Sequence, residues 1–446
     1  MIRLRYRLAF FILFAVVPRE AGATWLKPDP TYEEAVLELR LAVRDTAGRA
    51  SDASRLDTLG VALLKLGRQA DAAGIFRRVL ALAPGDPAAS AGLGKLALFH
   101  DRLAEAESLL AFAERDDREA IADRLSARMR RGDYAGAAAL APDAGAEGRV
   151  ALLEALASGG AWQVAGGKAD LLWKRQFPVP LVRVKLNGQA VLMAIDTGTG
   201  DLLVDQSAAK RCKITPLAGQ SLAFWNGARI AVRNAVVQRL ELGDARVEKV
   251  PAGILSLRKW SNEVNPMEEP VVGVIGLEVL ERFTPTLDYA RRRLELRPRA
   301  AAPEVAAGAL RVPFEIWGES ELMVYGTLAA GRRMAMVLAT GLPGAGVGAP
   351  AEVMEEVGVR PGSVARIMKG MGGFMGGRPW YEVGVPTVTV GPIVRDRVPG
   401  WSGALDPTEM WWHGVRRDAL LGGEFFRDRR LTIDWARHEL VIEEPK

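Results

Sequence analysis

The chain has 446 residues, of which 49% are hydrophobic and 25% are charged, and its net charge is +5. This length exceeds a single ordinary core and predicts two or three domains, and the composition is that of a folded globular protein. The basic excess comes from scattered arginines without a run of five or more basic residues, so the sequence predicts no nucleic-acid partner.

The first 23 residues have the pattern of a secretory signal peptide. A basic stretch, MIRLRYR, precedes the apolar run LAFFILFAVV, and the small residues AGA at 21–23 would permit cleavage before Thr24. Ten apolar residues are too few to span a bilayer, for which roughly 20 are needed, and no later segment is long and apolar enough. The sequence therefore predicts an exported protein, periplasmic or secreted, with no transmembrane segment.

Residues 24–160 predict an α-helical domain, because Ala, Leu, Arg and Asp dominate and apolar residues recur at helical spacing. A stretch that begins with Leu59-Gly60 repeats from Leu93, which is a period of 34 residues. A degenerate third unit is predicted at 128–142. These stretches resemble the tetratricopeptide repeat, which implies a groove for a protein partner; a generic helical bundle is the alternative.

At about residue 165 the pattern changes to short alternating runs of Val, Leu and Ile between Gly, Pro and Asn-Gly turns, which predicts β-structure. This region contains a long internal repeat. GLEVLERFTPTLDYARRRLEL, from Gly276, aligns with GGEFFRDRRLTIDWARHELVI, which begins 146 positions later. VRVKLNGQAVLMAIDTG aligns with VYGTLAAGRRMAMVLATG at an offset of 143. The repeat predicts two β lobes, at 166–300 and 305–446.

The sequence AIDTGT, followed by VIG some 75–80 residues later, resembles the retropepsin-like bacterial branch of the aspartic peptidase family. In that chemistry two carboxylates share one proton around a water, which attacks the peptide bond. The resemblance implies that Asp196 is the catalytic aspartate of the first lobe. It also implies that Thr197, Gly198 and Thr199 support the loop.

The matching loop of the second lobe reads Ala339-Thr340-Gly341, so it keeps the Thr-Gly pair and lacks the carboxylate. Four alternatives follow. Asp201 or Asp205 could approach Asp196, or two chains could pair their first lobes as a homodimer. The groove could bind polypeptide without cutting it, or Asp196 alone could support weak hydrolysis.

Two segments are candidate flaps over the groove. In the first lobe Asn226-Gly227 predicts a hairpin tip, next to Trp225. In the second lobe the glycine-rich stretch KGMGGFMGG contains Gly370, Gly372 and Gly373. The alternatives are an ordinary hairpin and a mobile loop.

The other residue types and motifs of the sequence argue against a metal site, a serine nucleophile and a phosphate-binding site. The three histidines are far apart in sequence and form no ligand-spaced pair, and no nucleophile elbow or phosphate-binding loop is present, so the sequence predicts no metal and no cofactor. Asp288 and Asp434, in TLDY and TIDW, occupy matching positions of the repeat and are predicted to lie in hairpin turns.

The sequence thus predicts a multidomain protein, α then β: a tetratricopeptide-like helical array followed by a bilobal, all-β, aspartic-peptidase-like domain. The expected function is binding of extended polypeptide between the lobes, with hydrolysis through Asp196 if a proton donor is supplied. The alternative is a catalytically inactive peptidase-like protein that binds polypeptide and recruits a partner through its helical repeats.

Overall fold

A computed structural model of the chain describes Leu41 and residues 53–113, 117–225, 228–301, 303, 305–362, 367–368, 379–405 and 414–444. The predicted signal peptide, 1–23, lies outside these residues. Over the described residues, no helix is both long and apolar enough to cross a membrane.

The N-terminal region, residues 53–160, is helical. Its helices are α1 Ala53–Lys65, α2 Gln69–Leu82, α3 Pro87–Phe99, α4 Leu103–Leu110, α5 Arg118–Arg131, α6 Tyr134–Leu140 and α7 Val150–Gly159, with a 3-10 turn at Glu147–Arg149 before α7. Asp86, Asp117 and Asp133 each cap the start of a helix, because each carboxylate accepts a hydrogen bond from a backbone N–H three residues later.

Consecutive helices pack against one another, and glycines set their approach. A β-carbon at Gly60 would lie 2.5 Å from the Phe76 ring, and one at Gly92 would collide with it. The glycines therefore allow α1 and α3 to pack closely on either side of Phe76. The prediction of a helical N-terminal region is thus confirmed for residues 53–160. That its helices are tetratricopeptide repeats stays a prediction.

The β region follows, with short helices between its strands. The strands of the first half are β1 Gln163–Ala165, β2 Ala169–Leu172, β3 Leu181–Leu186, β4 Gln189–Ile195, β5 Leu202–Asp205, β6 Ser221–Trp225, β7 Ala228–Leu242, β8 Ala245–Leu255, β9 Val271–Ile275, β10 Phe283–Asp288 and β11 Arg293–Pro298. Its helices are α8 Gln206–Arg211, α9 Arg258–Val264 and α10 Leu277–Leu280.

The second half repeats this arrangement. Its strands are β12 Leu310–Pro313, β13 Glu315–Trp317, β14 Glu321–Leu328, β15 Met334–Ala339, β16 Val347–Ala349, β17 Ile367–Met368, β18 Trp380–Val390, β19 Ile393–Ser402, β20 Ala419–Gly422, β21 Arg430–Asp434 and β22 Glu439–Glu443. Helix α11 is Ala351–Glu356, and a 3-10 turn follows β20 at Gly423–Phe426.

The two lobes have the same strand order. The sheet of the first lobe runs β8-β5-β9-β4-β3-β7-β6, and that of the second runs β19-β16-β20-β15-β14-β18-β17, with β1 and β13 as the additional members. Every strand of one run corresponds to the strand at the same place in the other. The internal repeat of the sequence is therefore a repeat of the fold.

A third sheet joins the lobes, in the order β12-β22-β21-β10-β11-β2. Its centre is the antiparallel pair β10 and β21, in which Thr286 faces Thr432. The two threonine hydroxyls, 146 positions apart in sequence, are 2.7 Å from each other and buried. Asp288 and Asp434 end β10 and β21, and each accepts a backbone N–H three residues later, as a hairpin turn requires.

The helical region packs on the second lobe. Residues of α1–α3 form one buried hydrophobic cluster with residues of β13–β15, and the Phe99 and Trp317 rings stack with centroids 4.9 Å apart. At the edge of this contact, Gln69 Nε2 donates to Glu315 Oε2 at 2.9 Å. One face of the helical region is thus covered by the same chain.

Candidate active site

Asp196 lies directly beyond the end of β4, in the middle of the first-lobe sheet. Ile195 pairs in parallel with Ile275 of β9, and the Asp196 N–H donates to the Ile275 carbonyl at 3.1 Å. The last five residues of β4 and all of β9 are buried, so the loop is carried on a rigid part of the lobe.

The Asp-Thr-Gly and Ala-Thr-Gly loops meet face to face through their threonines. The Thr197 N–H donates to Thr340 Oγ1 at 3.0 Å, and the Thr340 N–H donates to Thr197 Oγ1 at 3.1 Å. Thr197 Oγ1 also donates to the Leu338 carbonyl at 2.8 Å. Both threonines are buried, so these hydrogen bonds fix the spacing of the lobes at the site.

The Asp196 carboxylate has three hydrogen-bond donors. Oδ1 accepts from the Gly198 N–H at 2.8 Å and from the Gly341 N–H of the opposite lobe at 2.9 Å, and Oδ2 accepts from Thr199 Oγ1 at 3.0 Å. Burial raises the pKa of Asp196 above its ordinary value, and the three donors oppose that rise by stabilising the charged form.

Ala339 occupies the position that corresponds to Asp196. A β-carbon at Gly198 would lie 2.7 Å from Ala339 Cβ, and one at Gly341 would collide with the Asp196 side chain, so each glycine faces the other lobe. The internal repeat aligns Asp196 with residue 339 and Gly198 with Gly341, so Gly341 is the glycine of the residue-339 loop. Because residue 339 has no carboxylate, the Gly341 N–H is available to Asp196, which receives both amides.

A methyl group can neither hold nor donate a proton. Of the two carboxylates that a shared-proton mechanism needs, the single chain supplies one. Asp196 could take a proton from a bound water, whereas Ala339 could not donate a hydrogen bond to the carbonyl under attack.

The two nearby aspartates have other contacts. Asp205 caps α8, with Oδ1 accepting from the Ser207 N–H at 2.9 Å, and its Oδ2 accepts from the Leu257 N–H at 2.8 Å. Asp201 is exposed, and its charge interacts with the Arg149 guanidinium. These contacts give neither residue the position of a second carboxylate opposite Asp196.

The flap predictions fall largely outside the described residues. Strands β6 and β7 pair as a hairpin up to Trp225 and Ala228, and the tip, Asn226-Gly227, is not among the described residues. Gly370, Gly372 and Gly373, between β17 and β18, are likewise outside them. The strands that would carry both flaps are present at corresponding places in the two sheets.

Sequence reasoning missed Tyr289, which lies below the site at the end of β10. Its side chain is 3% exposed, and its hydroxyl has no hydrogen-bond partner among the described residues. A β-carbon at Gly423 would lie 2.8 Å from that hydroxyl. Burial raises the pKa of Tyr289, and the charges of Glu424 and Asp196 add to the rise. In the sequence, Tyr289 stands out only as part of the matched pair TLDY and TIDW. That match does not indicate how deeply the tyrosine side chain is buried or which way it points.

In the part of the chain that the structure describes, no group of three or more His, Cys, Asp or Glu side chains is arranged to hold a metal ion. The site is built from carboxylate, hydroxyl and backbone amide groups.

Comparison with known families agrees with this geometry for the first lobe. Residues 182–279 match the aspartyl protease family. The matched range runs from β3 to α10 and contains the whole Asp196 loop. This aspartic-protease-like region supports a peptidase-like fold.

Two further comparisons concern the whole chain. No curated protein matches it. Among solved structures, it is similar to the crystal structure of an aspartic proteinase from Irpex lacteus, with 9% sequence identity and a TM-score of 0.41. That alignment covers 63% of this chain and 98% of the other.

Proposed function

We propose that this protein binds extended polypeptide in the groove between its two lobes, over Asp196, and that a single chain does not complete the two-carboxylate reaction. The observation that carries the proposal is the hydrogen bond from the Gly341 N–H to Asp196 Oδ1 at 2.9 Å. It requires both loops to be in place, as they are in a two-lobed peptidase, while the side chain at 339 is a methyl group.

Weak hydrolysis by Asp196 alone is the second candidate. The carboxylate keeps three donors, including Thr199, and is half-buried, so it could act as a general base toward water. Loss of general acid–base assistance typically reduces rates by roughly 10²–10⁴-fold, which sets the activity expected relative to a complete dyad.

A homodimeric active site is a weaker proposal. A second chain would have to bring its own Asp196 to the place that Ala339 occupies. That exchange would break the buried Thr197–Thr340 hydrogen bonds and the pairing of β10 with β21.

The experiment compares the mature protein with Asp196→Asn and Ala339→Asp. Each is incubated with unfolded casein at pH 3–7, and both cleavage and binding are measured. We expect binding without rapid cleavage for the natural chain. Ala339→Asp should gain cleavage, because it places a second carboxylate opposite Asp196, where Gly198 and Gly341 have no side chains to block it.

The double variant Asp196→Asn, Ala339→Asp is the matched control and should not cleave. Rapid cleavage by the natural chain that disappears in Asp196→Asn would contradict the proposal. If neither the natural chain nor any variant bound unfolded polypeptide, the proposal that the groove is a polypeptide-binding site would be wrong.

We also propose that the helical region acts first within its own chain, as a brace on the second lobe. The support is the shared hydrophobic cluster between α1–α3 and β13–β15. Recruitment of a protein partner through tetratricopeptide-like repeats stays a prediction, and it would need surfaces other than this covered face.

Export is a further part of the proposal, and it is motivated by the basic, apolar and small-residue segments of 1–23. Mass spectrometry of the protein from its native host should give a mature N-terminus at Thr24. A retained Met1 would contradict export by this route.

A further inference from the structure

Two contacts between the lobes, which the internal repeat relates to each other, lie just beyond the two Thr-Gly loops, and we take them as the two ends of the proposed groove. At one end Gly200, just beyond the Asp196 loop, contacts the second lobe so closely that a β-carbon there would collide with Ser320 Oγ. At the other end Gly344, just beyond the Ala339 loop, contacts Phe177 of the first lobe. Phe177 and Ser320 correspond at the offset of 143.

At the Gly200 end, a segment of the helical region lies between the lobes. Gly148, in the 3-10 turn before α7, packs on the backbone of Gln220 at the start of β6, with no room for a side chain. The buried Asn234 of β7 donates from Nδ2 to the Gly148 carbonyl at 2.7 Å. The turn is therefore fixed to the base of the first-lobe hairpin.

The next residue reaches across to the second lobe. Arg149 makes a bidentate ion pair with Glu319, with Nη1–Oε1 at 2.5 Å and Nη2–Oε2 at 2.8 Å. Both side chains are only about one-fifth exposed, 21% and 23%. Glu319 is adjacent to Ser320, which contacts Gly200, so the ion pair spans the gap at the same end of the groove.

The corresponding Gly344 end differs. Phe177 is 54% exposed there, and the Gly344 N–H is bonded to the Pro178 carbonyl at 2.9 Å. A half-exposed phenylalanine faces solvent at the place that corresponds to the Ser320 turn. One end of the groove is thus braced by a third segment, and the other presents an accessible apolar side chain.

We propose that the 147–149 turn forms an end wall of the groove, so that the site accepts the end of a polypeptide rather than an internal segment. This inference rests on the proposed function, because it concerns the polypeptide bound over Asp196. An extended chain that runs past Asp196 toward Gly200 meets the Gly148 backbone and the Arg149–Glu319 pair. On the opposite side the chain leaves past Phe177.

The wall sets a limit on ligand length on one side only. Binding selectivity then depends on a free chain end within reach of Arg149, and an internal loop of a folded protein is excluded. The position of the wall is set by two contacts together, the close packing of the Gly148 backbone on Gln220 and the bidentate Arg149–Glu319 ion pair.

The test uses the full mature chain, immobilised, and a tryptic digest of casein as the probe. Peptides that are retained are identified by mass spectrometry, and the tightest is synthesised in four forms. One is unmodified, one has an N-terminal tail of about ten Gly-Ser residues, ~33 Å when extended, one has the same tail at the C-terminus, and one has both.

We expect a tail at one terminus to weaken binding by about tenfold or more, and a tail at the other to change it by less than about threefold. The terminus that is intolerant is the one that faces the wall. Equal tolerance of both tails would overturn the wall, and so would equal loss with either tail. If no peptide binds at all, the proposed function fails, which is a different result from peptides that bind with either tail.

A variant localises the effect. Arg149→Ala with Glu319→Ala should restore binding of the intolerant tailed peptide to within about threefold of the unmodified one. The matched control is Arg311→Ala with Glu439→Ala, an exposed pair at 2.7 Å between β12 and β22. If the control variant also recovered binding of the intolerant tailed peptide, the proposal would be overturned. The same holds if the wall variant, shown by circular dichroism to be folded, did not recover that binding, because the tail would then be blocked by another part of the protein. The comparison of tailed peptides on the natural chain does not depend on either variant.

Discussion

The two lobes have the same strand order, and each has a Thr-Gly loop at the same place. Only the loop of the first lobe contains a carboxylate, that of Asp196. Thr197 and Thr340 exchange backbone-to-hydroxyl hydrogen bonds across the interface, whereas Asp196 faces a methyl group. The difference teaches that the loop has two separable roles. Its threonine and glycine hold the lobes together, and its first residue determines whether the loop brings a carboxylate to the site.

The largest expected effect concerns the structural role. Thr197→Val keeps the shape of the side chain and removes the acceptor for the Thr340 N–H and the donor to the Leu338 carbonyl. Leaving two buried polar groups unsatisfied should lower the free energy of unfolding by about 2–4 kcal/mol. Urea unfolding followed by circular dichroism measures this change.

The control for that variant is Thr389→Val on the half-buried face of β18, which should change stability by less than about 0.5 kcal/mol. A Thr197→Val variant as stable as this control would show that the loops do not hold the lobes.

A second effect tests the symmetry of the inter-lobe sheet. Thr286→Val and Thr432→Val should each destabilise by about 1–2 kcal/mol, because each leaves one buried hydroxyl without its 2.7 Å partner. The double variant replaces both hydroxyls with methyl groups and should cost less than the sum of the singles. Additive losses in a double-mutant cycle would mean that the hydroxyls do not interact.

A third prediction compares Glu278 with Glu424, which correspond at the offset of 146. Burial, with the charges of Asp201 and Glu319, raises the pKa of Glu278 to about 8. Burial also raises the pKa of Glu424, although Arg427 opposes the rise.

A carboxyl whose pKa is raised in the folded state contributes stability at low pH and loses that contribution as the pH rises through its folded pKa. Thermal unfolding at pH 5–9 should therefore show a decline for the natural chain that is weaker in Glu278→Gln. Glu424→Gln should reduce the decline of thermal stability with pH less than Glu278→Gln does. Equal profiles for both variants would show that the acidic neighbours of Glu278 do not act on it.

The smallest expected effect is on Asp196 itself. Burial raises its pKa, so the charged form destabilises the fold as the pH rises through that pKa. Asp196→Asn can keep its oxygen as acceptor for the Gly198 and Gly341 N–H groups. The variant should match the natural chain near pH 3 and be slightly more stable at pH 7. Lower stability of the variant at pH 7 would show that the three donors outweigh burial.

Much of the architecture could be predicted from local patterns. The Asn187-Gly188 pair, with positive φ of 47° and 83°, turns between β3 and β4 as its type predicts. The gapless repeat predicted the correspondence of strands, since alternating apolar residues constrain each strand to one register. The placement of Thr340 and Gly341 opposite Asp196 followed from the same alignment.

The end of the groove could not be predicted in this way. Arg149 lies in a helical segment whose pattern gives no information on which sheet it contacts, and its partner Glu319 is 170 residues away. Tyr289 was visible in the repeat, but its depth depends on the space that Gly423 leaves. Such contacts depend on how whole domains pack, which periodicity within one element does not encode.

The pairing of β10 with β21 has a mechanical consequence. Because one continuous sheet passes beneath both lobes, they cannot swing apart about a hinge without breaking its ladder of hydrogen bonds. The distance between the Asp196 and Ala339 loops is therefore held from two sides, by this sheet and by the Thr197–Thr340 hydrogen bonds. A ligand proposed to lie between the lobes would have to fit the space that these contacts leave.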